Sequence, residues 1–202
     1  NLIEDGQVST KALARFAALF ERLNLPLGEL QTLSRQLQAA VSASTNGAAK
    51  SSNASKSNAA LVPQQTTQLI WLGLSPRTLA ALQDHITLLP EATPVNLNTA
   101  SAEVLSASIP GLSIASAHQA IDLRQRGHWA SLDAARTGLG ATGRSLDEKQ
   151  HSIQSRYFEV MGRMRIDNVV QQERVLMQRD GSQVRMLWRV KSPQQLTGTP
   201  LQ

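Results

Sequence analysis

The sequence predicts an α+β fold in which a run of helices precedes an antiparallel sheet of three strands. Up to about residue 140 the apolar side chains recur at intervals of three and four, the spacing of one helix face. From Tyr157 the interval falls to two, the spacing of a strand with one buried face. A two-residue turn signal, Asp180-Gly181, separates the last two strands.

The elements follow in order. "NLIEDGQV" reads as a turn beside a short strand, because Asp5-Gly6 favours positive φ. Thr10 can cap a first helix whose stripe is Leu13, Phe16, Leu19, Phe20 and Leu23, and Asn24 to Pro26 end it. A second helix, Leu27 to Ala40, repeats the pattern with Leu27, Leu30, Leu33 and Leu37. Residues 42–60, "SASTNGAAKSSNASKSNAA", carry no large apolar side chain and are expected to form a disordered loop. Ser75 and Pro76 then begin a helix with Leu79, Leu82 and Ile86 inward, stopped by Pro90. Asn98 or Thr99 can cap the helix that carries Val104 and Leu105. After Pro110-Gly111, Ser113 caps a helix with Ile114, Ala117 and Ile121 inward, which Gly127 terminates. Ser131 and Asp133 start a shorter one.

In the strands, Phe158, Val160, Met164 and Ile166 form the expected buried face of the first, and Asp167-Asn168 turns the chain. "QERVLMQR" is the second. Val184, Met186, Trp188 and Val190 alternate with Arg185 and Arg189 in the third. A three-stranded sheet needs a cover on its apolar face, and "PQQLTGTPLQ" is too polar to supply it. A helix from elsewhere, expected upstream of Asn1, is the natural cover.

Composition narrows the function. With 202 residues and 41% apolar content the chain can bury a sizeable core. The absence of cysteine excludes disulfides and thiolate metal sites. No apolar run of about 18 residues is present, so no segment of this sequence is expected to cross a membrane, and no signal peptide is recognisable. The net charge of +5 admits a polyanionic partner, but the cations are scattered, which favours a solvated basic surface. His85, His118, His128 and His151 lack metal-ligand spacing and read as surface or helix-end residues. No Gly-x-Ser-x-Gly elbow, phosphate loop or dinucleotide fingerprint occurs, so no enzyme is expected. Trp71, Trp129 and Trp188 are expected as core anchors.

"PVNLNTASAEVLSASIPGLS" has the shape of a helix-hairpin-helix unit, and Gly73-Leu74-Ser75 anticipates its Gly111-Leu112-Ser113 turn as a weak repeat. Nucleic-acid-binding hairpins commonly place a second glycine where Ser113 stands, so that backbone N–H groups reach a phosphate. A serine there caps its own helix instead. The nearest cations in sequence, Arg124 and Arg126, follow at the far end of that helix, where they complement the dipole. DNA binding is therefore the minority reading. Asn96 and Asn98 can contact a partner or, more simply, satisfy turn and cap backbone groups.

The Asn96-Leu97-Asn98-Thr99-Ala100 motif, the hairpin behind it and the strands "YFEVMGRMRI" and "ERVLMQRDGSQVRMLWRV" together resemble the minor pseudopilins of the K class from type II secretion systems. The resemblance implies a pilin-like antiparallel sheet, residues 1–9 with 153–192. Into it a helical domain, residues 10–152, is inserted with helix-hairpin-helix or SAM-like units, and residues 193–202 form a flexible tail. It implies Asn96, Asn98, Thr99, Gly111 and Ser113 as family motif positions of structural role. The implied protein is a pseudopilus tip subunit that limits filament growth, partnered by pseudopilins of the I and J classes and in contact with secreted substrates. It would be anchored in the inner membrane by one N-terminal hydrophobic helix, with its soluble domain in the periplasm. Members commonly carry calcium ligands in the helical domain. Here no acidic residue lies between Glu29 and Asp84, so no cofactor and no calcium site are expected.

Overall fold

The computed structural model describes residues 2–4, 6–47, 61–166 and 169–195. It divides into two compact units, Asn1–Ile153 and Gln154–Gln202.

The first unit opens on a hairpin of β1 (Ile3–Glu4) and β2 (Gln7–Val8), turned at Gly6 with φ +74°. α1 (Thr10–Arg22) follows, and its cap is Ser9 rather than Thr10: the Ser9 hydroxyl accepts from the Ala12 N–H. α2 runs Leu27–Gly47, past the expected end at Ala40, so the tract that composition assigned to a loop is helical as far as Gly47. Alanine and serine without a glycine or proline break allow that extension. The rest of the tract, residues 48–60, lies outside the described residues. Gln38 of α2 donates to Gln7 Oε1 at 2.9 Å, tying the opening hairpin to this helix.

A 3₁₀ segment, Thr66–Leu72, buries Leu69 and Leu72 and leaves Trp71 64% exposed, so Trp71 is no core anchor. The tight three-residue turn puts positions 69 and 72 on one side and 71 off it. α3 (Pro76–Leu82) is capped by Ser75 as expected but stops at Leu82, well short of Pro90. Ile86 lies beyond its end and still packs against the first core, built on Phe20, Leu30, Leu72 and Leu82.

β3 (Val95–Asn96) leads into α4 (Ala102–Ser108), capped by Ser101, not by Asn98 or Thr99. α5 (Ile114–Arg126) carries the expected Ser113 cap, although Ile114 is 36% exposed and only Ala117 and Ala120 are fully inward. α6 (Leu132–Gly138) and a 3₁₀ segment at Gly140–Ser145 pack so tightly that a Cβ at Gly143 would clash with the Arg136 carbonyl. β4 (His151–Ser152) returns to pair in parallel with β3, Val95 opposite His151. The second core, centred on Leu97, Leu105, Ile109, Leu112 and Trp129, fills this part.

The second unit is the antiparallel sheet β5 (Tyr157–Ile166), β6 (Val169–Asp180) and β7 (Gln183–Gln195) in that order. The turn expected at Asp167-Asn168 lies outside the described residues. The next turn uses Gly181-Ser182, with Asp180 paired to Gln183 and positive φ at Gly181 alone. That is the Gly-x pattern of a type II′ turn, not the type I′ turn that Asp180-Gly181 suggested. β7 tolerates Pro193 because it is an edge strand.

Two strand expectations are corrected. Leu176 pairs with Trp188 while Met177 pairs with Met186, so a bulge passes over Leu187. One extra residue reverses the alternation, and Trp188 and Val190 fall on the face opposite Val184 and Met186. On the face expected to be buried Val175 of β6 is covered, but Phe158 is 41%, Val160 47% and Met164 57% exposed, and Val184 and Met186 are exposed as well.

Candidate functional site

Of the motif residues, Asn96 ends β3, Asn98 and Thr99 lie in the loop between β3 and α4, and Gly111 and Ser113 form the turn beyond α4. The structure thus groups the first three at one end of α4 and the other two at the opposite end.

The first group is a knot of backbone satisfaction. Asn96 Oδ1 accepts from the Asn98 N–H at 3.0 Å, an Asx-turn. The Asn98 amide donates to the carbonyls of Trp129 and Ile153 at 3.0 and 2.9 Å, and its oxygen accepts from the Trp129 N–H. One side chain therefore joins the loop to the α5–α6 connection and to the end of β4. Thr99 is exposed and engages the turn through its backbone, its N–H donating to the Asn96 carbonyl at 3.2 Å.

Arg124 was missed in this role by sequence reasoning. Its guanidinium donates to the carbonyls of Leu97 and Ala100, each at 2.6 Å, and burial lowers its pKa from the usual arginine value. A signal was available: Arg124 stands seven residues after Ala117 and so continues the inward stripe of α5. Its position near the helix C-terminus suggested only a dipole partner.

At the other end of α4, Gly111 has φ +81° and Leu112 is buried, while the Ser113 hydroxyl accepts from the Ser116 N–H at 3.1 Å. The earlier copy of this turn has the same parts. Gly73 has φ +97°, Leu74 is buried and the Ser75 hydroxyl accepts from the Thr78 N–H at 3.2 Å. The first copy also holds a carboxylate, since the Ser75 N–H donates to Glu29 Oε2 at 2.9 Å. Partial burial raises the Glu29 pKa, but hydrogen bonds from Ser75 and Thr78 outweigh it and hold the group below the usual range.

Beside the second copy lies a cleft of about 520 Å³ between α1 and the α4–α5 turn, with Arg15, Arg22 and Ala18 on one wall and Ile109, Gly111 and Ser113 on the other. Arg15 and Arg22 are the cations that sequence proximity did not place near the hairpin. Ser106, 6% exposed, accepts from Arg22 Nε at 3.1 Å and donates to the Leu112 carbonyl at 2.8 Å, linking the two walls.

His151 is buried, contrary to the surface expectation: Nδ1 accepts from the Asp147 N–H and Nε2 lies 3.3 Å from the Ser108 carbonyl. His85 Nδ1 lies 3.0 Å from Ser101 Oγ and 4.0 Å from Glu103. Both approach the same ring nitrogen, so this is not the relay in which a base is oriented through its second nitrogen. Among the described residues no cluster of histidine and carboxylate side chains is arranged to hold a metal.

The segment from β3 to β4 is thus one closed module, with its two ends paired in parallel and bridged by Asn98. Residues 95–154 match the family model of type II secretion system (T2SS), protein K. This bears out the K-class resemblance seen in the sequence. The match covers less than half of the chain and ends before β5, so the strands of the resemblance lie outside it. It supports a role in type II secretion, and with it an envelope location and association with other pseudopilins. The protein K family is structural rather than catalytic, and the match gives the DNA-binding alternative no support. No curated protein matches the chain. Among the described residues no helix is long and apolar enough to cross a membrane.

Proposed function

We propose that the chain is a minor pseudopilin of the K class, acting as a structural subunit at the tip of the pseudopilus and limiting its growth. The protein K match over residues 95–154 carries this reading. A second observation favours it. The sheet presents Phe158, Val160, Val184 and Met186 exposed on one face, beside the Glu173–Arg189 ion pair, and exposed apolar side chains grouped in this way favour a docking surface over a solvated one.

On this reading that face receives an N-terminal hydrophobic helix, in the manner of a pilin-like fold, and that helix anchors the subunit in the inner membrane with the described units in the periplasm. The helical module of helix-hairpin-helix or SAM-like form is the bulk that stops another subunit from stacking above. Pseudopilins of the I and J classes are the partners, secreted substrates are transient contacts, and no calcium or other cofactor is required. Asn96, Asn98, Thr99, Gly111 and Ser113 then serve the module's architecture.

Mixing the chain with soluble I- and J-class domains of the same secretion system and measuring mass by light scattering tests the proposal. A ternary species is expected. A chain that stays monomeric with cognate partners at micromolar concentration would refute the tip-complex reading.

A further inference from the structure

We infer that the cleft between α1 and the α4–α5 turn binds an acidic peptide segment of a partner protein, taking carboxylate side chains at Arg15, Arg22 and the Ser113 N–H and apolar ones against Ala18 and Pro110. The inference does not rest on the pseudopilin reading, and its test can fail independently.

Charge complementarity is the first argument. Two arginines line the cleft, no carboxylate does, and neither arginine forms an ion pair among the described residues. Arg22 is also held in place: the buried Ser106 hydroxyl takes its Nε–H, which leaves the two terminal nitrogens without a hydrogen-bond partner among the described residues. A guanidinium anchored through Nε presents a fork that suits a planar carboxylate.

The second argument is internal to the molecule. The Gly-Leu-Ser turn occurs twice with the same left-handed glycine, buried leucine and serine cap. In the first copy the serine N–H donates to a carboxylate, Glu29. In the second copy the Ser113 N–H has no partner among the described residues, and the turn faces the cleft. The repeat therefore shows which chemical group such a turn accepts, and the second copy lacks it.

A peptide fits better than a nucleic acid. Ser113 Oγ already occupies the Ser116 N–H, one of the donors that a phosphate at the helix start would use. The remaining surface is largely aliphatic, from Ala14, Ala18, Ala107 and Pro110, and offers no aromatic on which a base could stack.

The full 202-residue chain is used for selection from a random peptide display library, and the enriched peptides are synthesised, labelled and titrated by fluorescence anisotropy. Enriched sequences are expected to interleave Asp or Glu with Leu, Ile or Val, and to lose about tenfold or more in affinity for Arg15→Glu/Arg22→Glu. Both positions are at least partly exposed, so the circular dichroism spectrum of the variant is expected to match the parent. No enrichment, enrichment without acidic residues, or equal binding to the variant each overturns the inference. Labelled duplex DNA that displaces the peptides and loses its own binding in the variant would assign the cleft to nucleic acid, which also overturns it.

Discussion

His151 shows how one residue can report on a fold from inside it. It is 1% exposed, it pairs in β4 with Val95, and its ring connects the segment before β4 to the end of α4. Because Nδ1 accepts from the Asp147 N–H, the hydrogen-bond network assigns the proton to Nε2, and the ring is neutral. Burial, the largest influence, pushes the pKa below the ordinary 6.5, and the contact with the Ser108 carbonyl opposes it only in part. The unfolded chain therefore takes up a proton at a higher pH than the folded one. Stability is full above pH 6.5 and declines as pH falls from there toward the lower folded value, by at most about 1.4 kcal/mol per pH unit for a single proton. Thermal unfolding followed between pH 7.5 and 5 should show this decline, and His151→Gln should flatten part of it. Identical pH slopes in parent and variant would contradict the burial argument. Nothing in the sequence around His151 marks it for the core, because the burial comes from α4 and β3, far away along the chain.

At the scale of elements, the loop carrying the family motif is held to α5 by the Arg124 fork on the carbonyls of Leu97 and Ala100. Lysine at this position can satisfy one carbonyl but not both with the same geometry. Arg124→Lys is expected to cost about 1–2 kcal/mol in urea unfolding, whereas Arg126→Lys, exposed one half-turn further on, should stay within about 0.5 kcal/mol. Equal losses would mean that the clamp adds nothing beyond a surface charge. What was legible at this scale was local. Caps at Ser75, Ser113 and Ser131 and the helices they begin could be read from the residues, because a cap is decided within three positions. Where two candidates adjoined, the choice failed: Ser9 took the place of Thr10, and Ser101 that of Asn98. Asn98 was unavailable as a cap because Trp129 and Ile153 engage its side chain, and that competition is set by tertiary contacts. The reversal of Trp188 and Val190 has the same origin, since a bulge depends on the partner strand.

For the whole molecule, the end of the compact helical unit at Ile153 and the end of the protein K match at residue 154 nearly coincide. The period of the apolar pattern changes near Tyr157, but the sequence could not show that the β1–β2 hairpin lies with the helices, since two-residue strands leave almost no periodic signal. Nor could it bring Arg15 and Arg22 to the second Gly-Leu-Ser turn, a contact between residues some 90 positions apart. Both hydrophobic cores are made within the helical unit: Phe20, Leu30, Leu72 and Leu82 in one, Leu97, Leu105, Ile109 and Trp129 in the other. Val104 and Ala107 of α4 pack against the first core while Leu105 and Ile109 belong to the second, so a single helix couples them. Shared packing through α4 makes the two cores one cooperative structure. Residues 1–153 produced alone are therefore expected to keep their helical circular dichroism and to unfold in a single thermal transition. Leu105→Ala, which removes a fully buried side chain, should lower that transition as a whole, at a cost of about 2–5 kcal/mol. Two separate transitions, with only the later one moved by Leu105→Ala, would show that α4 does not couple the cores.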